Sequence, residues 1–286
     1  MNPAKAPAQF AIAYKDSAAG EGKNVADYLQ QQGIHPVFCG MLDDRDLEQV
    51  IASGKVDALI ALGGDGSMLN ASHLCAKAGV PILGINMGSI GFLMELQRTN
   101  WRDYMPRLIK GDFRREERML LSACHYRAEQ QLGEWEVVNE VVVCRGQMVK
   151  PIRLQASVDG YPMASYVADG LIAATPTGST AYALAAGGAI LPPEIRNILV
   201  VAVAPHLSMD RAIILAEGSS VTITVNTNHQ AVLSADGHAP VTLEDNDQVR
   251  VEASQRNITF IRFHDPGYFY RNLNRYMENN PSSGAK

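Results

Sequence analysis

The seven residues Val56–Leu62, VDALIAL, are almost wholly apolar and lead directly into Gly63-Gly64-Asp65-Gly66. A strand covered on both faces reads this way, as in a parallel sheet, whereas a strand with one wet face alternates. Helix-compatible residues follow from Ser67 to Ala78, and Val80–Gly84 supplies the next strand. Strand, glycine turn and helix in that order predict an α/β arrangement, with ligand beyond the carboxyl ends of the strands. Upstream, Phe10–Tyr14 and Val37–Cys39 read as strands, and Gly22–Gln32 and Asp43–Ala52 as helices.

The pattern changes near residue 118. Met119–Ala128, Glu136–Cys144, Ile152–Val158, Leu171–Ala174, Ile198–Val203, Val221–Val225, Ala231–Ser234 and Gln248–Glu252 are short β-prone runs. Asp159-Gly160, Asp236-Gly237 and Asp245-Asn246 punctuate them as turns. Thr180–Ala186 is the one convincing helical stretch among them, Tyr268–Met277 predicts a last helix, and 279–286 reads as a frayed polar tail. The expected fold is therefore α/β: a Rossmann-like N-terminal α/β domain over 1–118, then a mainly β domain over 119–286.

A chain of 286 residues is long enough to bury two cores. Its net charge of -5 supplies no broad positive field, so nucleic acid and anionic membranes are not expected partners. Cys39, Cys75, Cys124 and Cys144 lack zinc-ligand spacing and suit small hydrophobes in a reducing, cytoplasmic setting. The first residues lack the apolar core of a signal peptide, and no run of about 18 apolar residues suggests a membrane span. His73, His125, His206, His229, His238 and His264 form no metal-ligand pattern.

Glycines at a strand-to-helix turn bring bare backbone N–H groups close to a ligand, and the following helix start adds favourable field for a phosphate. Asp65 is the unusual member, because a carboxylate repels the anion such a cradle holds. It could hold a divalent metal between phosphates or take a proton from an attacking hydroxyl. Alternatively, Asp65 and Ser67 simply cap the helix. A second cluster, DGLIAATPTGSTAYALAAGG over 169–188, gathers Thr175, Thr177, Ser179, Thr180 and Tyr182 around a turn at Pro176 and Gly178. Hydroxyls, N–H groups and a phenol ring suit a nucleotide, although an elaborate helix cap reads the same way. A third is Asn139-Glu140, which interrupts the apolar run EVVNEVVVC and marks a site, a bulge or a wet strand edge.

Taken together and in order, these elements resemble the NAD kinase family across roughly residues 56–265. The motifs are LGGDGSML around 63–66, GINMGSIGFL over 84–93, Asn139-Glu140, and the run from Asp169 to Gly188 containing TPTGSTAY. The GGDG turn alone is shared with lipid kinases and, in related form, with phosphofructokinases; TPTGSTAY is far more specific. The resemblance implies transfer of the γ-phosphate of ATP, or of polyphosphate, to the 2′-hydroxyl of the adenosine ribose of NAD, with Mg²⁺ or Mn²⁺. It casts Asp65 as general base and Gly63, Gly64 and Gly66 as the donor-phosphate cradle. Phe92 would lie against the acceptor adenine, Asn139 and Thr177 would bond the base, and Glu140 the ribose hydroxyls. Asp169, Thr180, Ala181 and Tyr182 would hold the nicotinamide end or bridge the two nucleotide halves, partly from a neighbouring subunit of a homodimer or homotetramer. Asp236 matches a later Asp-Gly element near the site, and the C-terminal segment from about 263 would pack back on the first domain. Ser67 stands where threonine is usual, and Ala183, Ala185, Ala189 and Ala212 replace commoner serines or prolines without removing a proposed catalytic group. The competing expectations are a lipid kinase, which needs an apolar acceptor pocket, and a non-catalytic dinucleotide binder, which has no use for Asp65.

Overall fold

Apolar runs near the N-terminus form parallel strands joined by helices. The order is β1 (Phe10–Tyr14), α1 (Ala19–Gln31), β2 (Phe38–Met41), α2 (Arg45–Ala52), β3 (Ala58–Gly63), α3 (Asp65–Ala76), β4 (Ile82–Asn86), β5 (Leu96–Gln97) and α4 (Trp101–Lys110). The structure is a computed structural model that describes residues 6–88, 91–148, 150–206 and 209–278. The tail expected over 279–286 lies outside the described residues, as do Ser89 and Ile90 of the GINMGSIGFL motif.

β3 pairs in parallel with β1 from Phe10↔Ala58 to Tyr14↔Leu62, and with β4 from Leu59↔Ile82 to Gly63↔Asn86. All its residues are buried, which is why this run lacks polar alternation. β2 pairs the other side of β1, giving the order β2-β1-β3-β4. The winding direction reverses between β1 and β3, so the crevice for a ligand opens at their carboxyl ends. Those ends carry Lys15 and the Gly63–Gly66 turn. Helix α1 buries Val25 and Leu29 in the core beneath the sheet, and α4 buries Trp101, Met105 and Leu108 in the same core. Helix α4 is not among the elements expected from the sequence, although its buried positions follow helical spacing.

The remaining elements are β6 (Arg114–Arg127), β7 (Gln130–Val137), β8 (Glu140–Arg145), β9 (Ile152–Val158), β10 (Tyr161–Ala168), β11 (Gly170–Ala174) and α5 (Tyr182–Ala185). They continue with β12 (Asn197–Val203), β13 (Ile213–Ala216), β14 (Ser220–Asn226), β15 (Ala231–Ala235), β16 (Val241–Leu243), β17 (Gln248–Arg262) and α6 (Tyr268–Glu278). The chain divides into two compact units, Met1–Glu117 with Asn257–Lys286, and Arg118–Arg256, and crosses between them within β6 or β17. In the second unit an antiparallel sheet, β13-β12-β11-β8-β15-β16, packs Val141, Val143, Leu171 and Leu233 against Leu154, Ala156, Val221 and Ile223 of β9 and β14. Its other face buries Val142, Ile172 and Leu199 with Ala183 of α5. Because both faces of β8 are covered, its VVV run does not alternate. The fold class is the one expected, an α/β first unit and a mainly β second.

Candidate functional site

The structure assembles the expected site residues into two clusters, one in each unit. In the first, α3 begins at Asp65 itself, two residues earlier than the sequence suggests. Gly64 precedes it in an extended conformation (φ -126°, ψ -169°), and the Gly64 carbonyl accepts the N–H groups of Ser67 (2.9 Å) and Met68 (3.1 Å). Asp65 is therefore inside the helix, and its carboxylate is not used as a cap. Oδ2 accepts the Phe92 N–H at 2.8 Å and Oδ1 the Leu93 N–H at 3.0 Å. Gly91 lies so close to this carboxylate that a Cβ there would stand 2.1 Å from Oδ1. One N–H bond to each oxygen fixes the orientation of the carboxylate.

Asp65 lines a cavity of about 440 Å³ together with Lys15, Ser17, Gly64, Gly66 and Gly88. A Cβ at Gly64 or Gly66 would meet no atom within 4 Å. Their missing side chains therefore keep the backbone bare toward the cavity rather than make the turn possible. Gly63 differs, since its Cβ would fall 2.1 Å from Ser67 Oγ. The loop bearing Phe92 is held from the C-terminal segment: Arg262 Nη1 donates to the Leu93 carbonyl at 3.0 Å, and the Phe92 ring centroid is 4.7 Å from that of Tyr276 on α6. Glu95 braces the same segment. Burial works to raise its pKa, but the His264 bond, the Arg262 charge and the Phe263 N–H together hold it below the ordinary value.

The second cluster is organised by Asp236. It adopts a left-handed backbone conformation (φ 47°), which aspartate tolerates better than most residues, and it is followed by Gly237 (φ 73°). Its carboxylate accepts the N–H groups of Val138 (2.7 Å), Asn139 (2.8 Å) and Glu140 (3.0 Å). The apolar run read from sequence as one strand is thus two, β7 and β8, with Val138-Asn139 as the junction. Thr175 fastens the TPTGSTAY turn to this junction: its hydroxyl donates to the Val138 carbonyl at 2.6 Å, and its N–H to the Asn139 carbonyl at 2.8 Å. A Cβ on Gly178 would approach that Asn139 oxygen to 2.1 Å, so only glycine lets the turn lie so near.

Glu140 is 8% exposed, and its Oε2 is buried without a hydrogen-bond partner. Desolvation first, and then the charge of Asp236, push its pKa up to about 8, against a smaller opposing effect of the Tyr182 backbone N–H. Tyr182 is 45% exposed and lies within electrostatic range of Glu140 and Asp169, while Asp169 pairs with Arg145 at 2.9 Å. Thr177 accepts from the buried Arg118 at 3.2 Å, the Thr180 hydroxyl donates to the Thr177 carbonyl at 3.1 Å, and Ala181 bridges this turn to α5. Lys15 and Arg118 are not among the site residues expected from the sequence, whereas Thr175 is expected there as one hydroxyl of the 175–182 cluster and Gly91 as part of the GINMGSIGFL motif.

Fold and clusters define a kinase class that combines a GGDG turn on a parallel sheet with a β-rich second unit. Comparison with known proteins narrows this. The ATP-NAD kinase N-terminal domain matches residues 12–113, and the ATP-NAD kinase C-terminal domain matches 138–263. NAD kinase of Chloroflexus aurantiacus is 33% identical over 258 residues and that of Symbiobacterium thermophilum 37% over 264, each alignment covering 90% of this chain and 93% of the relative. Yeast NADH kinase complexed with NADH superposes with a TM-score of 0.80 at 22% identity, over 98% of this chain and 89% of that one. An NAD kinase from Archaeoglobus fulgidus in complex with ATP gives 0.74 at 21% identity, over 95% and 99%. These two structures show the shared fold. The chain belongs to the ATP-NAD kinase family, and it is an enzyme that phosphorylates NAD. Family membership sets aside the lipid-kinase and non-catalytic readings. Among the described residues no helix is long and apolar enough to cross a membrane.

Proposed function

We propose that Asp65 is the general base of this kinase, which transfers the γ-phosphate of ATP to the 2′-hydroxyl of the adenosine ribose of NAD. The observation that carries this reading is an oriented carboxylate, held by the Phe92 and Leu93 N–H groups, in a cavity walled by bare glycine backbone. As the hydroxyl oxygen attacks phosphorus, an Asp65 oxygen takes its proton; the bond to the β–γ bridging oxygen breaks, and ADP and NADP leave. Gly63, Gly64 and Gly66 present N–H groups to the donor phosphates. Asn139 and Thr177 bond the acceptor base and Phe92 lies against it, Glu140 takes the ribose hydroxyls, and Asp169, Thr180, Ala181 and Tyr182 hold the remainder of the dinucleotide. Asp236 acts through the Asn139–Glu140 backbone that it anchors.

Among the described residues no three His, Cys, Asp or Glu side chains gather with metal-holding spacing. One carboxylate beside a phosphate cradle suits Mg²⁺ or Mn²⁺ arriving on the donor phosphates, where most ligands are phosphate oxygens and water. The ion would neutralise charge on the transferring group, with Asp65 as its protein partner. All four cysteines are free, which accords with a reducing cytoplasm. We further infer a homodimer or homotetramer in which a neighbouring subunit supplies part of the Asp169–Tyr182 segment.

One experiment tests base and assembly together. Asp65→Asn alone should turn over about 10²–10⁴-fold more slowly than the unaltered chain, the usual scale for losing a general base. Mixed with an inactive Asp169→Ala chain under subunit exchange, it should regain partial activity. Unaltered turnover of folded Asp65→Asn removes the base assignment, and no recovery despite proven exchange removes the shared site.

A further inference from the structure

Leu93, which gives Asp65 one of its two N–H bonds, is itself held from outside the cavity. It donates its N–H to Asp65 Oδ1 at 3.0 Å, and its carbonyl accepts Arg262 Nη1, also at 3.0 Å. The two peptide units that meet at Leu93 are thus pinned by different groups, one by the carboxylate and the other by a guanidinium. Arg262 ends β17, whose parallel contact Phe260↔Ile82 sets it level with Gly84 of β4. The Gly84 carbonyl accepts the Glu95 N–H at 3.2 Å, which brings residues 93–95 past the guanidinium.

Arg262 is buried and meets three acceptors with two nitrogens. Nη1 serves both the Leu93 carbonyl and Glu95 Oε2 (3.3 Å), while Nε donates to Glu116 Oε1 at 3.0 Å. The carboxylates are shared outward. Glu116 also takes a bond from Arg114 (2.7 Å), and Glu95 takes the N–H groups of Phe263 (2.6 Å) and His264 (3.1 Å), with His264 Nδ1 at 2.8 Å. Two buried carboxylates need a cation, and an ammonium would answer that need as well. The planar fork adds direction, because it aims Nη1 at a main-chain carbonyl while Nε stays on Glu116.

We propose that Arg262 is a positioning residue for phosphoryl transfer, fixing the Leu93 backbone and, through it, the Asp65 carboxylate. This rests on the reading of Asp65 as general base. Among the described residues that line the Asp65 cavity Arg262 has no place, so it acts through Leu93 and not on substrate. Asp65 Oδ1 depends on Leu93 and Oδ2 on Phe92, so a shift of this backbone turns the carboxylate from the hydroxyl it must deprotonate. Helix α6 braces the same backbone, with the Tyr276 and Phe269 ring centroids 4.7 and 6.5 Å from that of Phe92. Tyr276 is buried and lies within electrostatic range of both Arg262 and Asp65. Ring packing fills space without direction, whereas the bond to the Leu93 carbonyl sets the angle of the peptide. Misplacing a reacting group by about 1 Å can cost about 10²-fold in rate, which sets the scale of the effect.

Steady-state kinetics of the full chain with ATP, NAD and magnesium chloride test the assignment. Arg262→Lys keeps the charge between Glu95 and Glu116, but its single nitrogen follows the carboxylates and leaves the Leu93 carbonyl. It should lower kcat at least tenfold, with KM for ATP and NAD within about threefold. If it fails to fold, Arg262→Met with Glu116→Gln removes one buried charge of each sign and should lower kcat at least as much. Parent-like kcat in either folded variant overturns the proposal. A double-mutant cycle then asks what Arg262 acts through. In an Asp65→Asn chain the same change at Arg262 should alter kcat by no more than about twofold, because no base is left to orient. An equal loss in both backgrounds overturns the positioning role while leaving the base in place. Parent-like turnover of folded Asp65→Asn removes the base, and the positioning role falls with it.

Discussion

Replacing Glu140 by glutamine should change how the stability of the protein depends on pH. The carboxyl group is 8% exposed, one of its oxygens is buried without a partner, and burial followed by the Asp236 charge raises its pKa from 4.5 to about 8. The unfolded chain releases this proton near pH 4.5, while the native protein keeps it until about pH 8. Between those values the native state binds more protons, so the contribution of Glu140 to stability is full below pH 4.5 and is lost as pH rises toward 8. A shift of about 3.5 units at 1.36 kcal/mol each corresponds to a loss on the order of 5 kcal/mol, flat above pH 8. Glutamine cannot ionise, so Glu140→Gln should lack this decline. Its amide leaves a polar group imperfectly paired, a cost of about 1–3 kcal/mol that does not vary with pH. The assay is urea denaturation of both chains between pH 5 and 9, reading the difference in unfolding free energy. The variant should gain steadily on the parent as pH rises and then level off. Parallel stability curves would refute the argument, because they mean that Glu140 titrates alike in the folded and unfolded chains.

Gly91→Ala should leave the protein folded but lower turnover at least tenfold with a smaller effect on KM for NAD, because its Cβ must displace the Asp65 carboxylate; steady-state kinetics with a melting curve checks this. An unchanged kcat would mean that the carboxylate's observed orientation is not the working one. Asp236→Ala should cost about 3–5 kcal/mol by chemical denaturation, since three N–H groups lose a charged acceptor and alanine suits the left-handed backbone poorly. Asp236→Asn should recover part of that loss, and a loss below about 1 kcal/mol for the alanine variant would show that the junction does not depend on this carboxylate.

Much of the fold was legible because it is written in contiguous residues. VDALIAL reads as a strand wet on neither face, and every residue of β3 is buried. The glycines after it announce a turn, and Asp65 stands out as a carboxylate inside it. The break at Asn139-Glu140 was visible as an interruption, and Tyr182 as part of a hydroxyl-rich cluster. Helix α4 is also written in its own spacing, at Trp101, Met105 and Leu108.

Other features depend on residues that meet only after the chain has folded. Asp236 lies 97 residues beyond Asn139, and nothing near either one says that its carboxylate captures the Asn139 N–H. Asp65 finds the N–H groups of Phe92 and Leu93 because β3 and β4 are neighbours in the sheet, which also decides that Gly91 must be glycine. Lys15 is an ordinary lysine after a strand until the order β2-β1-β3-β4 sets it at the crevice beside the glycine turn. Side-chain periodicity and turn chemistry act over a few residues, so the sequence by itself determined the elements, the nucleotide-handling motifs and the family they resemble. Desolvation and the pairing of a polar group with distant backbone act through space, so only the tertiary structure decided which carboxylate is held by the Phe92 and Leu93 N–H groups, which anchors the Val138–Glu140 backbone, and which is pushed toward its neutral form.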